Sequence, residues 1–156
     1  MEKSKEVKHY TEGIYYEIEL TARYCRFLGV QLFNKLEIEL SPIEFSALDT
    51  ISCHSGICQR DLAKLILKDR ANTGRILDSL EKSGLIVRYG DTKNNRLVKM
   101  IKITPQGIET LKQITDKFKP AIEKVIDSIS RDEIDELRSS LKRLREALSC
   151  IVETQI

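Results

Sequence analysis

Apolar residues along this chain fall into two rhythms, and the switch between them marks its centre. From Tyr10 to Leu36, Ile14, Ile18, Cys25, Leu28 and Leu32 recur at near-helical spacing with no intervening proline, which predicts one long helix. Tyr15, Tyr16, Tyr24 and Phe27 widen its apolar surface beyond one stripe, so part of it is expected to meet a partner chain. Ser41 to Glu44 carries helix-start chemistry: Ser41 to cap, Pro42 at the first helical position and Glu44 to complete a capping box. That helix is predicted to run through Phe45, Leu48 and Ile51 towards Gly56. Ile57, Leu62 and Leu65 pattern a short helix. Asp69 or Arg70 then opens a second one, whose Ile76, Leu77 and Leu80 share a face before Gly84 stops it.

Beyond Gly84 the period shortens to that of strands. Leu85 to Tyr89 and Leu97 to Ile103 flank the turn-forming GDTKNN, which predicts an antiparallel hairpin. Thr104-Pro105 is a second cap and first-turn proline. It opens a helix through Ile108, Leu111, Ile114, Phe118, Ile122, Val125 and Ile129 that Pro120 is expected to kink or break. A last helix from about Asp132 shows Ile134, Leu137, Leu141, Leu144, Leu148 and Ile151, a narrow coiled-coil-like seam. The predicted fold is mainly α with a small β-hairpin wing: a winged helix-turn-helix over residues 37–104, and a helical dimerisation layer from residues 1–36 and 105–156.

The runs DLAKLI and LEKSGLIVR, and the stretch from Leu97 to Gly107 ending in ITPQG, resemble the winged-helix core of the MarR family of bacterial and archaeal transcriptional regulators. The flanking helices fit as well. The resemblance implies a homodimeric DNA-binding regulator on a pseudo-palindromic operator, its two reading helices about one helical turn apart, modulated by a small molecule or an oxidant.

Charge supports the same reading. The chain has 156 residues, one domain by length, and a net charge of only +2. Residues 1–58 carry −3, residues 59–102 carry +6 and residues 103–156 carry −1, so the basic block coincides with the helix-turn-helix and hairpin. At the start of the second helix, Arg70, Ala71, Asn72, Thr73 and Arg75 are candidates for base edges in a major groove: Asn pairs with adenine, Arg with guanine, and the Thr methyl meets a thymine methyl. Helix-start capping is the alternative role for Asn72 and Thr73. Gly74 inside the same helix either permits close approach to the groove or lowers local stability. Gln59, Arg60 and Lys64 on the first helix are placed for backbone contacts. On the wing, Arg88, Lys93, Arg96 and Lys99 are candidates for phosphate or minor-groove contact. The family's wing often carries an Asp-x-Arg element; its arginine matches Arg96, while Asn94 takes the acidic place and Asp91 is the alternative partner.

Other chemistry is poorly supplied. There is no glycine-rich phosphate loop or nucleophile elbow, and His9 and His54 are the only histidines, so no enzyme is expected. Cys53, His54 and Cys58 are too few and too loosely spaced for a structural zinc site, and the cysteines are read as small, partly buried hydrophobes bracketing a turn. The family resemblance implies an effector pocket for aromatic or lipophilic acids, for which Tyr15, Arg23 and Phe45 are candidates, and redox sensing, for which Cys25 beside Tyr24 is the candidate. Neither a run of 18 apolar residues nor a signal-peptide pattern occurs, so the chain is expected in the cytoplasm with no cofactor and no membrane partner. A winged helix used for protein–protein contact is the rival reading.

Overall fold

A computed structural model describes residues 9–152 other than Asn94 and, at Lys93 and Arg96, the backbone alone. The chain divides into two compact units, Met1–Pro42 and Ile43–Ile156. None of its described helices is long and apolar enough to cross a membrane.

In the first unit a 3-10 turn, Tyr10–Glu12, precedes α1 (Ile14–Lys35). The single helix expected from Tyr10 starts four residues later, because Gly13 holds extended backbone (φ −93°, ψ 150°) and serves as the N-cap. In the second unit follow α2 (Pro42–Cys53), β1 (Ile57–Cys58), α3 (Gln59–Leu65), α4 (Arg70–Lys82), β2 (Ile86–Lys93), β3 (Arg96–Ile103), α5 (Pro105–Ile126) and α6 (Arg131–Ile151). The expected winged helix-turn-helix is therefore present.

Three features of the second unit also differ from expectation. Ile57, read as helical, instead opens a two-residue strand whose partners are Ile101 and Met100 on β3, giving an antiparallel sheet of order β1-β3-β2. A lone apolar residue has no period of its own, so only its sheet partner decides its conformation. The hairpin is longer than predicted: Gly90, Asp91 and Thr92, assigned to the turn, pair with Lys99, Val98 and Leu97, and the register closes at Lys93 opposite Arg96. Asn95, at φ 59°, supplies the left-handed residue that so tight a reversal needs. Finally, α5 runs unbroken through Pro120. A proline costs one ladder bond, but its fixed φ is itself helical, and the residues on either side keep their own bonds.

The core of the second unit joins Ala47, Leu48 and Ile51 of α2, Leu62 and Ala63 of α3, Ile76, Leu77 and Leu80 of α4, Ile86, Met100 and Ile101 of the sheet, and Leu111 and Ile114 of α5. Each large apolar side chain so enclosed contributes about 1.5–3 kcal/mol of transfer free energy. The Thr104 hydroxyl caps α5 by accepting the Gly107 N–H (3.0 Å) and also donates to the Gly84 carbonyl (2.7 Å). Gly107 packs so close that a Cβ there would lie 2.3 Å from the Leu85 carbonyl oxygen. In contrast, α6 buries none of its residues.

α1, α3 and α4 end alike. Each C-cap is followed by a left-handed residue, Glu37 (φ 49°), Leu67 (φ 51°) and Gly84 (φ 72°) respectively. The next N–H reaches back five residues to a carbonyl: Ile38 to Phe33, Lys68 to Ala63 and Leu85 to Leu80, each at 3.0 Å. This is the Schellman arrangement, in which glycine is the unstrained choice. Leu67 sits between α3 and α4 with 72% of its surface exposed, so its side chain brings strain without compensating burial. Leu67→Gly is expected to raise the unfolding free energy by about 0.5–1 kcal/mol, the relief of strain exceeding the added chain entropy; urea denaturation measures it, and a loss of stability would contradict the strained assignment.

Candidate nucleic-acid interface

The start of α4 is built around Asp69. As N-cap, its Oδ1 accepts the Asn72 N–H at 2.8 Å, and its Oδ2 accepts from the Asn72 side-chain amide. These bonds, the backbone one foremost, hold its carboxyl below the usual carboxylate range. Thr73 follows inside the turn. Its hydroxyl donates to the Asp69 carbonyl at 2.8 Å, and the residue is 0% exposed. Thr73 thus cannot offer its methyl to a base, contrary to expectation, because it lies on the same face as Ile76, Leu77 and Leu80 and is taken up by the core. Arg70, Ala71, Asn72 and Arg75 remain exposed, the last donating to Asn72 Oδ1 at 3.4 Å.

α3 is fastened to this turn by Gln59. Half-buried, it donates from Nε2 to the Arg70 carbonyl at 3.0 Å. A Cβ on Gly74 would lie 3.3 Å from that nitrogen. The glycine therefore makes room for the Gln59 amide, a role distinct from both alternatives read from sequence. Arg60 is exposed, loosely paired with Asp61 at 3.7 Å, and Lys64 is exposed.

On the wing, Arg88 departs from expectation. Its guanidinium bonds to Asp78 and to Glu81 (Nε to Oε2, 2.9 Å), its backbone N–H donates to Glu81 Oε1 at 3.1 Å, and its side chain is only 20% exposed. Two carboxylates on α4 hold it and raise its pKa, Asp78 foremost, so it ties the hairpin base to α4 rather than standing free for a phosphate. Asp78 and Glu81 lie three apart on one helical face, a spacing visible in the sequence but without meaning until Arg88 is brought opposite. Lys99 is exposed on β3, and the Asp91 Oδ1 accepts the Thr92 N–H at 2.7 Å. The side chains of Lys93 and Arg96, and the whole of Asn94, lie outside the described residues.

The effector and redox candidates occupy different units. In the first, Glu19 accepts from both the Tyr10 phenol and Arg23, and the bond to Glu19 pushes the Tyr10 phenol up to about 12. The Tyr10 ring meets Tyr16 edge-on at 5.6 Å and Tyr15 at 6.0 Å. Arg23 is thereby already paired, and Tyr15 and Cys25 are exposed. In the second, the Phe45 ring packs edge-on against Phe118 at 5.9 Å. Cys53 is exposed rather than partly buried, whereas half-buried Cys58 donates to Asp61 Oδ2 at 3.2 Å. Among the described residues no three His, Cys, Asp or Glu side chains are grouped to hold a metal ion.

The Asp69 cap sets a pH dependence. A carboxyl depressed in the folded state contributes its stability above the ordinary carboxylate range, near about pH 4, and loses it as pH falls through the folded value. Asp69→Asn keeps a capping side chain and removes the charge. The Tm advantage of the parent over this variant is expected to hold from neutral pH to about pH 5 and to close on further acidification. A gap that widens in acid, followed by circular dichroism, would count against the cap.

The description "MarR family" belongs to the family model that matches residues 40–98. Among solved structures, the transcriptional regulator SlyA is 28% identical, with a TM-score of 0.72 over 87% of this chain and 94% of its own. BldR from Sulfolobus solfataricus, also a transcriptional regulator, is 20% identical, with a TM-score of 0.76 over 92% and 99%. Staphylococcus aureus MepR, in a structure of its complex with DNA, is 20% identical, with a TM-score of 0.72 over 90% and 99%. Residues 40–98, which hold the helix-turn-helix and most of the hairpin, thus match the MarR family, and the chain shares the fold of the transcriptional regulator SlyA.

Proposed function

We propose that this chain is a homodimeric, sequence-specific DNA-binding regulator of transcription, reading a pseudo-palindromic operator with α4 in the major groove and the wing on the flanking backbone. The observation that carries the reading is the division of α4. One face, Thr73, Ile76, Leu77 and Leu80, is buried, and this leaves Arg70, Ala71 and Arg75 exposed together at its N-terminal end, within the segment of net charge +6. A single helix so presented fits one major groove. The MepR structure shows the same fold on DNA at 20% identity, which supports the assignment.

Dimerisation is proposed from unpartnered apolar surface. α6 carries Leu137, Leu148 and Ile151 exposed on one seam, and in the first unit Tyr24, Phe27 and Val30 of α1 are exposed. A second copy is the economical cover for both, since the two reading heads need a fixed spacing. Control is proposed through an effector that binds one dimer conformation better than the other: a small aromatic or lipophilic acid, for which Tyr15 and Arg23 in the first unit and, separately, Phe45 in the second are the candidates, or an oxidant at Cys25. An acid at Arg23 would displace Glu19.

The test is selection of random duplex DNA by the purified protein at roughly physiological salt, where non-specific binding is weak. An inverted repeat is expected. A folded dimer that enriches no sequence would turn the reading to a protein-interaction module. On the selected site, Arg60→Ala and Lys64→Ala are each expected to weaken binding uniformly across sequences and to lower the log–log salt slope by about one. Leu137→Glu combined with Leu148→Glu is expected to give monomers by sedimentation and to lose binding; an intact dimer would remove α6 from the interface.

A further inference from the structure

We infer that Asn72, although exposed at the start of α4, is a positioning residue for Arg75 and not a reader of adenine, so that guanine opposite Arg75 specifies this part of each half-site. The inference rests on the DNA reading above. It is carried by a relay of side chains. The Asn72 Nδ2 donates to Asp69 Oδ2, and the Asn72 Oδ1 accepts from Arg75 Nη1 at 3.4 Å. A carboxylate only accepts and a guanidinium only donates, so charge on both sides fixes which way the amide faces. Asp69 in turn is anchored as the N-cap through the Asn72 N–H.

Recognition of adenine in two places needs this same amide, its nitrogen turned to N7 and its oxygen to the N6 amino group. Asn72 would have to leave two bonds to charged partners for two to neutral ones, and charge-assisted bonds are the stronger class. Arg75 faces no such conflict. Asn72 occupies one Nη1 hydrogen, while Nε and Nη2 stay available as a fork for guanine O6 and N7. A guanidinium held on one side has fewer conformations to lose on binding, so the relay stiffens the guanine contact where an adenine contact would have stood.

The experiment uses the full chain and the operator enriched by selection, with 7-deazaguanine or 7-deazaadenine placed at each purine in turn. In the parent protein, one guanine position per half-site is expected to lose about tenfold in affinity on 7-deaza substitution. Arg75→Ala should abolish that sensitivity, and Asn72→Ala and Asp69→Asn should each reduce it, with no adenine sensitivity lost in Asn72→Ala alone. Ala at an exposed helical position preserves the fold, and circular dichroism checks it. An adenine sensitivity kept by Arg75→Ala and lost in Asn72→Ala would overturn the inference alone, by making Asn72 a base reader. Guanine sensitivity undiminished in Asn72→Ala, or surviving Arg75→Ala, would do the same. No enriched sequence at all would remove the DNA reading, and this inference with it.

Discussion

A helix that must be buried along one side and bare along the other can take only one rotation about its axis. In α4 that rotation is fixed by Ile76, Leu77 and Leu80, with Thr73 one turn earlier. Turning the helix by a third of a revolution would expose three large apolar side chains, each worth about 1.5–3 kcal/mol of burial. The burial of Leu77 and Leu80 therefore decides that Arg70, Ala71 and Arg75 face outward. What the outer face presents is set by packing on the inner one.

Polar bonds then fix what burial leaves free, namely where α4 begins and how its neighbours approach. Asp69 starts the helix, Gln59 ties the start of α3 to the Arg70 carbonyl, and Gly74 leaves the space that Gln59 fills. At the other end Arg88 joins Asp78 and Glu81, so the hairpin base and α4 share one ion-paired joint. The joint is partly open to solvent, where ion pairs contribute little to stability. Its consequence is geometric: the wing leaves α4 along a fixed line.

The remaining helices are organised on another principle. The N-terminal half of α5 adds Leu111 and Ile114 to the core, whereas Ile122, Val125 and Ile126 in its C-terminal half are exposed. α6 continues the exposure with a capping box at Ser130 and Glu133 that needs no tertiary support. Local chemistry starts both helices, and only the first half of α5 is held by the core.

Much was legible in the sequence because it is encoded locally. The Thr104 cap, the stop at Gly84, the apolar face of α4 and the period-two strands depend on residues within a turn or two of each other, and the structure reproduces them. The winged arrangement followed from the same local patterns, and the family resemblance in LEKSGLIVR agreed with it. What the sequence by itself could not determine lay in side chains whose partners are distant. Arg88 reads as a free cation until Asp78 and Glu81 come opposite it, Gly74 as a weak point until Gln59 occupies the gap, and Thr73 as a groove contact until the rotation of α4 places it inside. Short-range patterns set the elements, because caps and periodicity act through neighbours along the chain. Tertiary structure alone decided which charges are spent internally and which face outward, because burial and ion pairing depend on the distance across space that folding creates.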